Sequence, residues 1–162
     1  MLQEKIRKKY YQIRNRKPRG FFEKKLNINQ LQKYEHILNR HDKSITQFKS
    51  VLDFGCGNGR HFQYIYNIIP DASLYGCDVY KDWLEECKEK FPKAEFIRND
   101  VEPPINYQNN QFDLIYSYSV FTHLSEENHI VWLKEMERIL KPGGVMIHSV
   151  KSYEFVRRAK LF

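Results

Sequence analysis

Three carboxylates stand at the ends of short apolar runs: Asp53 after Val51-Leu52, Asp78 after Ser73–Cys77, and Asp100 after Ala94–Asn99. The first opens the stretch Asp53-Phe54-Gly55-Cys56-Gly57-Asn58-Gly59, with glycine at alternate positions. Such glycines permit positive φ and remove the Cβ atoms that would keep a ligand off the backbone. An amphipathic segment from Arg60 to Ile69 follows, and the free N–H groups at a helix start point at whatever occupies the turn. Strand, glycine turn and helix in that order form the local architecture of a nucleotide-type cofactor site. Asp78, at the end of the next strand, has the reach to take both hydroxyls of a ribose. Asp53 and Asp78 also read as helix caps, and Asp100 as ordinary turn chemistry before the Pro103-Pro104 loop. His123 lies just past the fourth apolar run; it reads either as a general base or as a loop histidine bonded to backbone.

These residues need strands and helices to carry them. Strands are expected at 50–54, 73–78, 94–99, 112–117 and 145–150, the fourth an unbroken apolar run suited to the middle of a parallel sheet. Between them come helices at 60–69, with Phe62, Ile65, Ile68 and Ile69 as its core stripe, at 81–91, and at 126–140. The last is capped by Ser125, faces inward through Ile130, Leu133, Met136, Ile139 and Leu140, and is stopped by Lys141-Pro142-Gly143-Gly144. Two helices precede the first strand, one over 2–16 broken by Pro18 and Gly20. The other starts from Asn27 or Asn29 and carries Leu31, Tyr34, Ile37, Leu38 and Ile45 toward residue 47. A short helix is expected over 153–162. This alternation predicts an α/β, doubly wound, mostly parallel sheet, whose ligands bind outside the carboxyl ends of the strands.

At 162 residues, 41% apolar and 29% charged, the chain can bury a core without metal or disulfide staples. Its three cysteines, Cys56, Cys77 and Cys87, form no CxxC pair; reduced thiols in a cytoplasmic protein are expected, with no metal site. No apolar run is long enough to span a membrane. The net charge of +7 is uneven: residues 1–25 hold ten Lys/Arg against Glu4 and Glu23. That basic arm reads as a solvated helical face or as a contact for an anionic partner such as RNA.

From about residue 48 to 151 the chain resembles class I S-adenosylmethionine-dependent methyltransferases. The resemblance rests on Val51–Gly59, Asp78, Asn99-Asp100-Val101, Phe112-Asp113-Leu114-Ile115-Tyr116-Ser117 and Leu140-Lys141-Pro142-Gly143-Gly144. The spacing Gly-x-Gly-x-Gly differs from the Gly-x-Gly-x-x-Gly of NAD sites. Ser119-Val120-Phe121-Thr122-His123-Leu124 is similar to bacterial methyltransferases of polysaccharide or small-molecule tailoring.

The resemblance implies a Rossmann-like methyltransferase domain over 48–162, with residues 1–47 as a basic helical segment packed on it. It implies that Asp53, Phe54, Gly55, Cys56, Gly57 and Gly59 hold the methionine part of S-adenosyl-L-methionine, later S-adenosyl-L-homocysteine. The ammonium would meet carbonyls near Gly55 and Ser117, with Asp53 supporting electrostatically. Asp78 would take the ribose, Val79 and Trp83 would flank the adenine, and Asp100 and the Val101 N–H would read its edge. His123 would overhang the methyl group as base, with Tyr116, Tyr118 and Ser119 lining the acceptor pocket. The family sheet continues past strand five; here a missing or shortened C-terminal strand pair is expected, leaving an edge for a homodimer or partner chain. The expected function is methyl transfer to an oxygen or nitrogen of a small-molecule or sugar acceptor. The alternatives are a non-catalytic cofactor-binding module completed by a partner chain, and an RNA methyltransferase that uses the basic arm.

Overall fold

The computed structural model describes residues 22–150, with side chains from Leu31 onward. The helix expected over 2–16, most of the basic arm and the segment 153–162 lie outside these residues. The elements in order are α1 (Phe22–Asn39), a 3₁₀ turn (Ile45–Gln47), β1 (Ser50–Phe54), α2 (Phe62–Ile68), β2 (Ser73–Asp78) and α3 (Lys81–Lys90). There follow β3 (Glu95–Arg98), β4 (Phe112–Ser117), a 3₁₀ turn (Phe121–His123), α4 (Glu126–Ile139) and β5 (Leu140–His148). The strands form one five-stranded sheet in the order β3-β2-β1-β4-β5, every neighbouring pair parallel. The chain steps outward from β1 to β3 and then returns to β4 on the other side of β1. This reversal opens a crevice between the carboxyl ends of β1 and β4. No helix among the described residues is long and apolar enough to cross a membrane.

Alternation along the strands divides the core into two layers. Val51, Leu74, Leu114 and Ile147 pack on one face with Leu31, Tyr34 and Leu38 of α1, Phe62 and Ile65 of α2, and Leu84 and Cys87 of α3. Leu52, Phe54, Ile115 and Phe112 pack on the other with Trp132, Met136 and Ile139 of α4. The loop from 102 to 111 is tied to this second layer by buried Glu135, whose carboxylate accepts from the Ile105 N–H at 2.8 Å. Arg138 completes the clamp, pairing with Glu135 at 2.6 Å and donating to the Ile105 and Tyr107 carbonyls.

Several expected boundaries shift for identifiable reasons. Asn27 and Asn29 lie inside α1, which begins at Phe22 and ends at Asn39. The chain then turns through Asp42 at φ 54°, and Ser44 and Gln47 form a capping box that starts a separate 3₁₀ turn. Helix α2 starts at Phe62, because Gly57 and Gly59 sit at positive φ and a tight Gly59 N–H to Cys56 carbonyl bond uses up the preceding residues. Strand β5 begins at Leu140, which pairs with Phe112, before Lys141-Pro142-Gly143-Gly144 bulges out and pairing resumes at Val145. Helix α4 is rotated from the expected face: Trp132 is 1% exposed, while Ile130 and Leu133 are 53% and 41% exposed. The large indole wins the inward position, since burying it removes the most apolar area from water. Ile37, expected in the α1 stripe, is likewise exposed.

Gly76 shows how tightly the first layer is packed around β2. A Cβ there would lie 2.6 Å from two ring atoms of Phe96 and 3.1 Å from Cys56 Sγ. Gly76→Ala is therefore expected to cost about 1–3 kcal/mol through overpacking, read as a lower urea midpoint at unchanged slope. A cost below about 0.5 kcal/mol, within the range of inert surface changes, would mean the Phe96 ring yields freely.

Candidate functional site

The turn after β1 is pinned by β2. Gly55 and Cys56 both donate their N–H groups to the Cys77 carbonyl, at 2.8 and 2.9 Å. Gly57 N–H donates to Asp78 Oδ2 at 2.8 Å, and Tyr80 N–H to Asp78 Oδ1 at 3.1 Å. Asp78 is thus a turn-bracing carboxylate, with both of its oxygens engaged by backbone N–H groups. The three glycines do different work. A Cβ on Gly55 would meet Val120 Cγ2 at 2.3 Å, and one on Gly59 would meet Phe91 at 2.4 Å. A Cβ on Gly57 would find only a Trp83 ring atom at 3.9 Å. Gly55 and Gly59 are demanded by packing, whereas Gly57 is the least crowded of the three.

Beside the turn lies a cavity of about 120 Å³. Its walls come from the tips of four strands: Phe54 at the end of β1, Val79 and Tyr80 after β2, Asn99, Asp100 and Val101 after β3, and Val120, His123 and Leu124 after β4. Trp132 of α4 closes it, donating its indole N–H to the Val101 carbonyl at 3.1 Å and packing on Phe54 with ring centroids 4.7 Å apart. Arg98 Nε donates to the Val79 carbonyl at 3.2 Å, tying two of these walls together. The structure therefore gathers Val79, Asp100, Val101 and His123 around one space. Trp83 is not among its walls; its ring packs tilted against that of Tyr80, with centroids 4.6 Å apart. His123 lines the same cavity as Asp100, from the segment after β4, with its Nε2 at 3.4 Å from Ser119 Oγ.

A second, polar region faces α1. Asp53 is 2% exposed, and its Oδ2, like the Tyr116 hydroxyl, has no hydrogen bond of good geometry. Burial pushes the Asp53 carboxyl up to about 8; the adjacent Tyr116 hydroxyl pulls it partly back, and the Asp78 charge adds to the rise. The Tyr34 hydroxyl of α1 reaches across to the Ser117 carbonyl at 2.7 Å and is pushed up to about 12, chiefly by burial. That carbonyl also accepts the Ser149 N–H at 3.2 Å, so two protein donors already serve the oxygen the resemblance offers to an ammonium. His61 is 7% exposed with both ring nitrogens unpartnered. Its ring lies 4.6 Å from that of Tyr118. Ser117 Oγ and His148 Nδ1 share a 2.8 Å hydrogen bond, while His148 Nε2 is buried without a partner. Burial lowers both His61, with the neighbouring Arg60 charge adding to it, and His148 to about 4.

Buried polar groups are nearly always hydrogen-bonded, so their exceptions map a site. Among the described residues the unpartnered buried side-chain atoms belong to Asp53, His61, Asn99, Tyr116 and His148. Four of the five sit at, or just beyond, the carboxyl end of a strand, and His61 stands at the start of α2. His61, Tyr80, Asn99, Trp132 and His148 escaped the sequence reading as site residues. Only His61, two positions past the last glycine, carried a local signal.

A family model described as a methyltransferase domain matches residues 51–144. Malonyl-[acyl-carrier protein] O-methyltransferase 2 of Ilyobacter polytropus is 28% identical over 62% of this chain and 38% of its own length. Thiocyanate methyltransferase 1 of Brassica oleracea is 32% identical over 65% of this chain and 48% of its own. The chain spans less than half the length of these two relatives. In fold, it matches the TehB-like SAM-dependent methyltransferase of Corynebacterium glutamicum with a TM-score of 0.56, at 22% identity, over 84% of this chain and 82% of that one.

The shifted groups set opposing pH dependences in the ligand-free protein. The Asp53 carboxyl, raised from 3.8 to about 8, contributes stability that is present below pH 3.8 and lost as pH rises through 8. His61 and His148, lowered from 6.5 to about 4, contribute stability that is present above pH 6.5 and lost as pH falls through 4. Asp53→Asn should remove the alkaline loss, so that wild type weakens relative to the variant between pH 5 and 8, by at most about 1.4 kcal/mol per pH unit. Urea unfolding at pH 5, 6.5 and 8 measures this. A difference that does not change with pH would mean Asp53 is already ionised in the free protein.

Proposed function

The chain belongs to the methyltransferase-domain family, and from that premise we propose that it moves a methyl group from S-adenosyl-L-methionine to an oxygen or nitrogen of a small-molecule or sugar acceptor. The observation that carries the reading is the line of unpartnered buried polar atoms along the strand tips, beside a cavity walled by Phe54, Tyr80, Val101 and Trp132. Polar atoms at one end and an aromatic slot at the other suit a ligand that has a charged amino-acid end and a flat heteroaromatic end.

When bound, the cofactor supplies a methyl group on a sulfonium, an electrophile that carries its own leaving group. What remains for the protein is to bind, to align the acceptor and to exclude water. Asp78, held by Gly57 and Tyr80, would accept from the ribose hydroxyls. Asp100 and the Val101 N–H would meet the adenine edge, with the Trp132 indole fixing the Val101 peptide. Asp53 would balance the ammonium from below the turn. Tyr118 and Ser119, just past β4, would border the acceptor. Ser119 is held at φ 60° with its N–H donating to Ser149 Oγ at 2.6 Å. His123 would serve as general base for a protonated acceptor.

Calorimetric titration with S-adenosyl-L-homocysteine and, separately, with NAD tests the reading. Binding of the first alone is expected, and binding of NAD alone would overturn it. Asp78→Ala should lower S-adenosyl-L-homocysteine affinity by about tenfold or more, the scale of a charged hydrogen bond. For His123→Ala, unchanged S-adenosyl-L-homocysteine affinity is the result a base predicts. A loss of about fivefold or more, roughly 1 kcal/mol, would make it a cavity-wall residue for the cofactor instead.

A further inference from the structure

The positive charge of the chain is concentrated at one end. Residues 1–43 hold 13 of the 27 Lys/Arg and only 4 of the 20 Asp/Glu, a net +9, and the rest of the chain is −2. The structure fixes where the last part of this segment lies. On α1, Leu31, Tyr34 and Leu38 are buried in the first core layer, and the Tyr34 hydroxyl donates to the Ser117 carbonyl at the tip of β4. The opposite face of the helix is left to solvent. Gln32, Lys33, His36 and Asn39 are exposed along it, with Arg40 and His41 in the turn that follows. The one acid between Leu31 and His41 is Glu35, which is half-buried and accepts from the Tyr64 hydroxyl at 2.6 Å. Among the described residues, no ion pair engages Lys33 or Arg40.

We propose that the face of α1 from Gln32 to His41 docks a single-stranded RNA. The inference goes beyond the transfer reaction and does not rest on the cofactor or acceptor reading. Lys33, His36 and Arg40 lie at intervals of three and four, so they share one side of the helix axis and can follow a phosphate backbone. Gln32, Asn39 and the imidazoles beside them both donate and accept, as does the 2′-hydroxyl that distinguishes RNA from DNA.

Other partners fit this face less well. A membrane-bound helix must bury an apolar stripe in the interface, and α1 already spends its stripe on the core. A protein partner would bring an apolar centre, whereas Ile37 is the one large aliphatic residue exposed on the described part of α1. The sequence leading into α1 adds the composition of single-strand binding. Tyr10, Tyr11, Phe21 and Phe22 stand among its Lys/Arg, and aromatic rings stack on successive bases whatever their identity. Position completes the argument. A helix with its side chains is about 10–12 Å thick, so a strand on the outer face of α1 lies about that far from Ser117. That distance brings a bound base beside the crevice between β1 and β4, which favours an unpaired strand over a duplex whose bases stay stacked.

The test is fluorescence anisotropy of a labelled, mixed-sequence RNA single strand of about 20 nucleotides, titrated with the full chain over a range of salt. Each phosphate contact to a single strand contributes about 0.7 to the slope of log affinity against log salt. Lys33→Gln combined with Arg40→Gln should therefore lower that slope by about 1.4 and weaken binding about 25-fold at about 0.1 M salt. Lys88→Gln combined with Lys90→Gln removes the same charge from α3 and should change the slope by less than about 0.3. All four side chains are exposed, and equal urea midpoints show that both variants are folded. DNA of the same sequence should bind about threefold or more weakly; equal binding overturns the assignment to RNA. Vesicles rich in phosphatidylglycerol should not sediment the protein, and sedimentation that the α1 variant abolishes makes the face a membrane contact and overturns the proposal. So does an unaltered chain that binds no RNA at about 0.05 M salt. An α1 variant whose slope matches that of the α3 variant overturns it too, because the face is then solvated charge.

Discussion

Everything at this site depends on how the first glycine turn is fastened to the second strand. One carbonyl, that of Cys77, takes the N–H groups of Gly55 and Cys56, and one side chain, Asp78, takes the N–H of Gly57. The Gly57 carbonyl in turn accepts from the Cys87 thiol of α3 at 3.4 Å. The N–H and the carbonyl of Gly57 are thereby oriented by β2 and α3. A loop of three glycines would otherwise sample many backbone states, since each glycine loses more freedom on ordering than any other residue. Here neighbouring elements meet that entropic cost, so the ligand encounters a rigid backbone.

The same fastening explains why polarity at the strand tips is left unsatisfied. A parallel sheet uses its backbone groups in the ladder and buries both faces under helices. Side chains at the carboxyl tips then have apolar layers below and the crevice above. Asp53 and Tyr116 are the last but one residues of β1 and β4, and desolvation raises both groups. A low-dielectric setting makes each unpaired group costly and each correctly placed ligand charge correspondingly strong.

How much of this was legible in the sequence divides along physical lines. Strands β1, β2 and β4 were readable to the residue, because short apolar runs ending in Asp53, Asp78 and Ser117 fit only strands in an alternating chain. The ends of α1 were not: Asn27 and Asn29 have capping chemistry, but the break is made later, by the turn through Asp42 and the Ser44 cap. Helix α4 misled because Ile130, Leu133 and Met136 keep helical spacing, while spacing carries no weight for the bulk of Trp132. The clustering of Asp100, Val101 and His123 was foreseen only in part. That β3 and the loop after β4 wall one cavity is a fact of strand order, which no local pattern contains. His148 was invisible for another reason, and His61 offered only its place after the last glycine: a histidine announces itself chiefly through what does or does not surround it.

Strand alternation finally explains how one turn can serve two unlike ends of a ligand. Successive residues of β1 point to opposite faces, so Asp53 turns toward α1 and Phe54 toward α4. Asp53 joins the polar cluster with Tyr116, and Phe54 joins Trp132 in the aromatic slot at 4.7 Å. β4 repeats the division: Tyr116 lies on the α1 side, and Ser117 sends its hydroxyl to His148. A ligand laid across the tips of β1 and β4 therefore meets charge-seeking groups on one face of the sheet and rings on the other. Shifting β1 by one residue would exchange these environments, placing a carboxylate against Trp132 and a phenyl ring under the turn. The register of one buried strand is thus as much a determinant of specificity as any side chain it carries.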